Sequence, residues 1–449
     1  MRTALSVFVL LLSVRLSAQI APLPVLCGNE LFDYIVAERY PALKSGFEQT
    51  FEAARARAQE AAVANDRSQL TIRVVVHVVW KNPEENLPDS VILNQIAILN
   101  KDFNRLNPDT GDLRSVFLPA AGNPNIKFEL ETVKRVQTTQ NFSINLTSGQ
   151  LLANLKSGAQ GGSDAWDTER YLNIWICRIQ PTTLFGIPLG QILGFAFPPN
   201  NLPNWPADSG APTPEQDGVV VDFRVVGSNN PNPITVPGSG PLVVKGRTPV
   251  HEIGHYLGLR HIWGDGGLLG LPNDCNQSDG IDDTPFANAQ SNFDCDKTRN
   301  TCNKVEPFYG ADVPDMIENY MDYSQENCMN VFTKGQAALM RAVLDGPRKK
   351  LVDTSSSLAA AASPAALALW PNPAGDDFWV AFALPRSGPF TLRLIAADGR
   401  ATILHSERNA PADGERRMRF DVAHLASGWY ALQLITPRAT HTQPLLIKR

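Results

Sequence analysis

Hydrophobic and polar positions follow two different periods along the first part of the chain. Residues 70–80 are almost continuously apolar and β-branched, which predicts a buried strand. Residues 92–106 carry apolar side chains at four-three-four-three spacing, which predicts an amphipathic helix. Further strands are predicted at 126–130, 171–179, 194–197 and 218–226. This mixture of strands and helices indicates an α/β (α+β) domain built on a mixed, twisted sheet.

The pattern changes twice further along the chain. After Gly264 the sequence is irregular and rich in Gly, Asn and Asp as far as Pro314, so bridges or ions must hold it. A helix follows, opened by a capping box of Thr333 and Gln336. Residues 354–366 form a Ser/Ala linker, and the remainder shows short alternating strands without cysteine. That remainder predicts a small all-β sandwich domain.

The net charge and the distribution of apolar residues indicate where the protein functions. The chain has 449 residues and a net charge of −5, so it offers no basic footprint for nucleic acid. Residues 1–18 combine an early arginine, an apolar centre and a small-residue end, which indicates a secretory signal peptide. No later stretch is apolar for long enough to predict a membrane span. We therefore expect a protein that is secreted or attached to the cell surface, where disulfides are permitted.

A single motif carries the strongest chemical signal. His251, Glu252, His255, Gly258 and His261 spell H-E-x-x-H-x-x-G-x-x-H. Residues four apart share a helix face, so the first two imidazoles form a clamp for zinc, and Glu252 reaches a water at the metal. Gly258 ends the helix and turns the chain, so that His261 supplies a third nitrogen. Three ligands and an open fourth position are typical of catalytic zinc; the alternative is an amphipathic helix with surface histidines.

The cysteines divide into a cluster and two separate residues. Four of the six follow the motif closely, which predicts two local bridges; they are Cys275, Cys295, Cys302 and Cys328. Cys177 lies in a predicted strand, where a buried inert thiol is expected. Cys27 lies shortly after the signal peptide, and its thiolate would fill the open zinc position and keep a precursor latent. The alternatives for Cys27 are a disulfide with Cys177 or a free thiol.

The motif and its surroundings resemble a known family. The extended motif is similar to that of the metzincins, and Met321 resembles the methionine of their Met-turn, an apolar floor beneath the metal. More narrowly, the chain resembles the pappalysin family in three segments: T-P-V-H-E-I-G-H-Y-L-G-L-R-H, D-D-T-P and N-Y-M-D-Y. The likeness extends over residues 72–352. It implies a metzincin-like zinc protease domain with a mixed sheet and an active-site helix.

The resemblance also implies roles for residues outside the motif. Tyr323, two residues after Met321, would stabilise the tetrahedral oxyanion. Calcium sites of the family would fall near Asp279, Asp283 and Thr284, and oxygen ligands suit that ion. For these acids the alternative is a solvated loop. The order of bridges in the family implies two pairs, Cys275–Cys302 and Cys295–Cys328.

The tail resembles a second family. The tail is similar to the type IX secretion sorting domain of Bacteroidetes in four places: W-P-N-P, D-G-R, L-A-S-G-W-Y and the basic end L-L-I-K-R. Trp370 replaces the more common tyrosine of the first of these motifs. The resemblance implies that the tail is an export address, read by type IX secretion machinery, and is dispensable for catalysis.

These patterns predict a secreted zinc endopeptidase that acts on protein or peptide substrates. Zinc would polarise the scissile carbonyl, Glu252 would take a proton from water and deliver it to the leaving amine, and Tyr323 would share the developing oxyanion. A non-catalytic surface adhesin or glycan-binding module on a protease-derived scaffold is the alternative. The predicted layout is a signal peptide at 1–18, a pro-segment at 19–67, the protease domain at 68–353, the linker at 354–366 and the sorting domain at 367–449.

Overall fold

The computed structural model divides the chain into two compact units, Met1–Val352 and Asp353–Arg449. The residues that it describes are 27–29, 51–53, 55, 56, 58, 68–145, 150–184, 187–199, 214–236, 240–264, 275–291, 293–352, 367–384, 388–396, 400–410, 415–436 and 440–448. The signal peptide, most of the pro-segment and the linker predicted from the sequence lie outside these residues. Among the described residues, no helix is long and apolar enough to cross a bilayer.

In the described part of the first unit, five strands form one mixed sheet. The strands are β1 (Leu70–Trp80), β2 (Ile126–Gln137), β3 (Leu172–Cys177), β4 (Gly194–Ala196) and β5 (Val219–Asp222). They lie in the order β2-β1-β3-β5-β4. All neighbouring pairs are parallel except β4, which runs antiparallel to β5 at one edge. Among the described strands, a short antiparallel strand therefore forms one edge of an otherwise parallel sheet.

Each face of this sheet carries its own hydrophobic layer because side chains alternate along a strand. One layer contains the even-numbered apolar residues of β1 from Ile72 to Val78 together with the helices. The other contains Val79, Trp175, Cys177 and Phe195. The continuous apolar run of β1 thus reflects burial on both faces, as predicted.

The structure describes three α-helices of this unit from end to end: α1 (Asp89–Asp102), α2 (Thr248–Tyr256) and α3 (Lys334–Asp345). The predicted capping box is present, with Thr333 and Gln336 bonded reciprocally at the start of α3. The first helix is shorter than predicted. Arg105 adopts a positive φ of 49°, which ends the helical path, so Leu106 is 71% exposed and not part of an apolar face.

The strands predicted at 171–179, 194–197 and 218–226 are each shorter in the structure, and the one predicted at 126–130 is longer. The strand β2 continues to Gln137 because it pairs with β1 along its whole length, across a bulge between Val74 and Val75. In the described residues of this unit, three short hairpins lie outside the sheet. Their strands are Ile144–Asn145 with Gln150–Leu151, Thr182–Leu184 with Ile187–Gly190, and Thr235–Val236 with Gly240–Pro241.

The second unit is a small all-β sandwich, as predicted. Its described strands are β6 (Ala368–Trp370), β7 (Asp377–Ala383), β8 (Gly388–Ala396), β9 (Ala401–Ala410), β10 (Glu415–Asp421), β11 (Gly428–Ile435) and β12 (Thr440–Ile447). They form two antiparallel sheets, β6-β7-β10 and β9-β8-β11-β12. Alternate residues such as Phe378, Phe382 and Leu432 face inward and build a core of their own.

Candidate metal and catalytic centre

The helix α2 positions the first three residues of the motif, and its end positions the last. Gly258 has a φ of +93°, and Leu259 N–H returns to the Gly254 carbonyl while Gly258 N–H returns to His255. These two bonds form a Schellman motif, which only a residue tolerant of positive φ closes without strain. The chain reverses there and places His261 beside the helix.

The three imidazoles converge on one point. His251 Nδ1 lies 2.7 Å from the Tyr320 carbonyl oxygen, and His255 Nδ1 lies 2.8 Å from that of Leu259. A carbonyl only accepts, so both Nδ1 atoms carry the proton and both Nε2 atoms present lone pairs. Those two Nε2 atoms lie 3.0 Å apart, and His261 Nε2 lies 3.1 Å from that of His255. Lone pairs directed at one another fit a divalent cation between them, and an imidazole set suits zinc.

Burial keeps these imidazoles in the form that binds metal. It lowers the pKa of His255 to about 4. Burial, reinforced by the neighbouring His255, also places the pKa of His251 and of His261 well below the usual value. Neutral imidazole is the ligand form, so the site needs no proton release from these residues near neutral pH.

Glu252 points into the same space from α2 and is almost fully buried. Burial raises the pKa of its carboxyl group to about 8, against the opposing hydrogen bond from Cys27. The strand β4 passes so close that a Cβ added at Gly194 would lie 2.5 Å from Glu252 Oε1. Glycine at 194 therefore allows the sheet edge and the carboxylate to share one wall of the site.

The segment around Met321 packs against α2 and the histidines. Met321 is fully buried, and a Cβ added at Gly254 would lie 2.5 Å from its Sδ atom. Gly254 thus lets the thioether reach the helix that carries the histidines. Tyr323 packs beside them, with ring centroids 5.5 Å from His251 and 5.1 Å from His261.

Cys27 lies within this centre. Its Sγ and one ligand atom from each of the three histidines all lie within 4.8 Å of one another. The same Sγ is 3.4 Å from Glu252 Oε1, and Cys27 N–H donates to the Tyr323 hydroxyl at 2.8 Å. The thiol of Cys27 is therefore beside the metal-binding set, the carboxylate and the tyrosine at once.

Asn29 fastens this segment to the sheet edge. Its Nδ2 donates to the Ala196 carbonyl at 2.9 Å, and its Oδ1 accepts from Ala196 N–H at 3.0 Å. Both groups of Ala196 face away from β5, so the Asn29 amide pairs with the open edge of β4 as another strand would.

The acids predicted for calcium lie in a second cluster. Asp279 Oδ1 accepts from Thr284 Oγ1 at 2.6 Å, whereas its buried Oδ2 has no partner among the described residues. Asp283 Oδ2 accepts from Gly335 N–H, and its Oδ1 also lacks a described partner. Burial raises the pKa of Asp279 to about 8 and that of Asp283 above its usual value.

The cysteine cluster forms two bridges, and they are the pairs that the resemblance implied: Cys275–Cys302 and Cys295–Cys328. Cys177 is a buried thiol whose pKa is raised well above the usual value by burial. Cys27 forms no bridge with it. His77, a buried residue of β1, lies between Ser163 Oγ and Asn173 Oδ1.

Other residues of the centre were not predicted from the sequence. Asn29, Gly194 and Ala196 contact it through packing between distant segments, and no local motif marks them. Trp263 was not predicted either, although it lies only two residues after His261, on whose ring it is stacked.

Comparisons with known proteins identify the family. Residues 244–345 match the family model of pregnancy-associated plasma protein-A. Over 293 residues the chain is 30% identical to an extracellular metalloprotease of Arthroderma benhamiae, across 65% of this chain and 84% of that relative. The chain belongs to this family, the pappalysins. This confirms the resemblance seen in the sequence.

Solved structures agree with this pappalysin assignment. Mature mirolysin of Tannerella forsythia, in complex with a cleaved peptide, is 33% identical, with a TM-score of 0.51 over 65% of this chain and 98% of that one. A mutant of promirolysin from the same organism is 32% identical, with a TM-score of 0.56 over 74% and 98%. Both likenesses confirm the metzincin-like fold.

The tail is assigned by its own match. Residues 368–448 match the family model of the secretion system C-terminal sorting domain. This pappalysin is therefore a secreted or cell-surface, zinc-dependent endopeptidase whose tail is addressed to type IX secretion machinery.

Proposed function

We propose that His251, His255 and His261 would hold the zinc ion of this endopeptidase and that Glu252 is its general base. The observation that carries the proposal is the pair of Nε2 lone pairs, on His251 and His255, that face each other at 3.0 Å. In the absence of a cation, two acceptors at that distance repel. A cation between them relieves the repulsion.

The residues of the centre divide the chemistry among themselves. Zinc in this position supplies Lewis-acid chemistry, polarising a carbonyl and lowering the pKa of a water. The Glu252 carboxylate takes the proton of the attacking water and later passes it to the leaving amine. The Tyr323 hydroxyl, which meets a peptide N–H of Cys27 in this structure, donates to the oxyanion once that segment has left.

A cleavage assay separates this function from that of an adhesin on the same scaffold. The full chain, once its pro-segment is removed, is expected to digest casein or gelatin, to stop when a chelator removes the metal, and to resume when zinc is returned. Unchanged casein in all three conditions would contradict the proposal and favour the adhesin.

We also propose that residues 19–67 are a pro-segment whose Cys27 keeps the enzyme latent. The thiolate is a good zinc ligand, and Cys27 Sγ lies within 4.8 Å of a ligand atom of each of the three histidines. The same segment makes a second contact: Phe51 packs against Arg260, and Arg55 donates to the Gly280 carbonyl oxygen. Two separate parts of the proposed pro-segment, one at Cys27 and one at Phe51 and Arg55, thus contact the zinc motif or the residues that follow it.

Cys27→Ala tests the latency. The variant precursor is expected to be active or to mature faster, and the wild-type precursor to be activated by thiol-modifying mercurials. Cys177→Ala is the matched control, since that thiol is buried outside the centre. A folded Cys27→Ala precursor as inert as wild type, maturing at the same rate, would refute the cysteine's role.

We propose that calcium binds at Asp279, Asp283 and Thr284. The support is the pair of buried carboxylate oxygens, one on each acid, that have no partner among the described residues. Calcium titration of the wild-type chain is expected to give a binding isotherm that Asp279→Asn abolishes or weakens at least tenfold. Equal calcium affinity in the two proteins would contradict the site.

The remaining parts of the predicted layout are proposals as well. Residues 1–18 serve as a signal peptide, 68–353 as the protease domain, 354–366 as a linker and 367–449 as the sorting domain. Nucleic acid is not expected as a partner, because the net charge of −5 gives no basic footprint.

A further inference from the structure

The third imidazole of the centre is held differently from the first two. His251 and His255 each donate from Nδ1 to a backbone carbonyl, which fixes the plane of the ring. In the described part of the chain no such acceptor is bonded to His261 Nδ1. Another contact must fix the plane of the His261 ring.

The indole of Trp263 makes that contact. The rings of His261 and Trp263 are stacked with centroids 4.5 Å apart and planes only 6° apart, and both side chains are buried. Against the other two histidines His261 is tilted or edge-on. Trp263 therefore stacks on one face of the His261 ring.

A tight turn produces this stacking. Gly264 N–H donates to the His261 carbonyl at 2.9 Å, so Ile262 and Trp263 occupy the corners of a turn. Gly264 has a φ of +76°, and a Cβ there would lie 2.7 Å from the Ser278 carbonyl oxygen. Because residue 264 is glycine, the turn can pack closely against Ser278. In this turn the indole of Trp263 lies on the ring of His261.

The same indole also touches the proposed oxyanion residue. Tyr323 meets Trp263 edge-on at 4.9 Å, with planes 79° apart, and meets His261 edge-on at 5.1 Å. Trp263 is thus packed against a proposed metal ligand on one side and Tyr323 on the other. Movement of the indole would displace both.

We infer that Trp263 is a positioning residue that fixes the ring plane of His261 for zinc binding and supports Tyr323 beside it. The inference rests on the proposed function, because it takes His261 as a zinc ligand. A metal held by His261 would draw electron density from the imidazole, and the electron-rich indole face would stabilise the resulting positive charge. Stacking on Trp263 fixes the ring plane of His261, as a hydrogen bond to a backbone carbonyl does for His251 and His255.

Zinc affinity of the full chain tests the inference. Trp263→Leu and Trp263→Met each remove the aromatic face, so either one that folds carries the test, and Trp263→Phe restores part of that face. Removal is expected to weaken zinc binding about 10- to 100-fold, measured by competition with a chelating dye. The absorption spectrum of the cobalt-loaded protein should change with it, while Trp263→Phe stays closer to wild type in both measurements.

A matched tryptophan and the metal-free protein complete the design. Trp166 packs edge-on against Tyr171 and has no contact with the centre among the residues that the structure describes, so Trp166→Leu should leave zinc affinity unchanged. A lower melting temperature of the metal-free Trp263→Leu protein, with wild-type zinc affinity and cobalt spectrum, would overturn the inference but not the proposed site. If the wild-type chain itself binds no zinc, both fail.

Discussion

Asp322 lies between Met321 and Tyr323, and its carboxyl group is completely buried. Both its oxygens are engaged by Ser291, through the backbone N–H and the hydroxyl. Burial nevertheless dominates, and it raises the pKa of Asp322 from its ordinary value of 3.8 to about 7. The residue that anchors the segment beneath the centre is thus an acid that the fold prefers to keep protonated.

This shift predicts a pH dependence of stability. Below pH 3.8 the carboxyl group of Asp322 is protonated in both the folded and the unfolded state. Between pH 3.8 and about 7 only the unfolded state releases the proton. The folded state therefore loses stability as the pH rises through this range. The contribution within that window is about 1.4 kcal/mol per pH unit. Asp322→Asn should flatten the measured free energy of unfolding across it by that amount relative to wild type.

Asp112→Asn serves as the control, because Asp112 is exposed. Its unfolding free energy should follow the wild-type pH curve. An Asp322→Asn protein with the full wild-type slope between pH 4 and 7 would show that the carboxyl of Asp322 ionises normally in the folded state.

At the scale of single residues, spacing in the sequence predicted what lies within one motif. His251, His255 and His261 meet because helix geometry and one glycine turn fix their positions. Asn29 was not predictable, because its amide bonds an edge strand 167 residues away. Contacts between distant segments depend on how sheets and loops pack, and periodicity carries no information about that.

Among the elements, α2 depends on a residue far outside it. Its N-cap position, Arg247, makes no side-chain capping bond. Instead Glu326 accepts from the N–H groups of Arg247 and Thr248, and from the Thr248 hydroxyl. A carboxylate at a helix N-terminus satisfies free donors and opposes the positive end of the helix dipole. The Met321 segment is thereby tied to the helix that carries the histidines.

Glu326→Ala should therefore destabilise the fold strongly for a single side-chain truncation. Loss of the cap leaves one buried and two half-buried donors without this acceptor, at a cost on the order of 3 kcal/mol in chemical denaturation. Glu129→Ala removes an exposed carboxylate paired with Lys127 and should cost under about 0.5 kcal/mol. Equal midpoints and slopes for the two variants would mean that Glu326 does not cap α2.

Strongly patterned elements were predicted in type and less well in length. The strand β1 and the capping box of α3 were read from local sequence alone. The end of α1 was missed because a single left-handed residue, Arg105, overrides a periodicity that continues to Leu106. Strand lengths such as that of β2 are set by the pairing partner and are not encoded in the strand itself.

At the scale of the whole molecule, the two units have separate hydrophobic cores. One is built around the mixed sheet and the zinc motif, the other within the tail sandwich. The residues of the proposed catalytic centre all belong to the first unit. The proposed catalytic centre and the sorting domain therefore belong to different units.

A chain truncated after Val352 tests this division. Once the pro-segment is removed, it should cleave casein with a kcat/KM within about twofold of the full chain, because no residue of the centre is lost. In cells with type IX machinery the same truncation should prevent export. A truncated chain that folds but has no peptidase activity would contradict the separation.

The catalytic centre is tested most directly by zinc content and casein cleavage measured together in Glu252→Ala. His255→Ala is the comparison, since it removes a proposed ligand and should lose the metal as well. Glu252→Ala is expected to keep one zinc per chain and to lose turnover by about 10²- to 10⁴-fold, because only the general base is missing. Cleavage by Glu252→Ala at near the wild-type rate would contradict the assignment of Glu252 as the base.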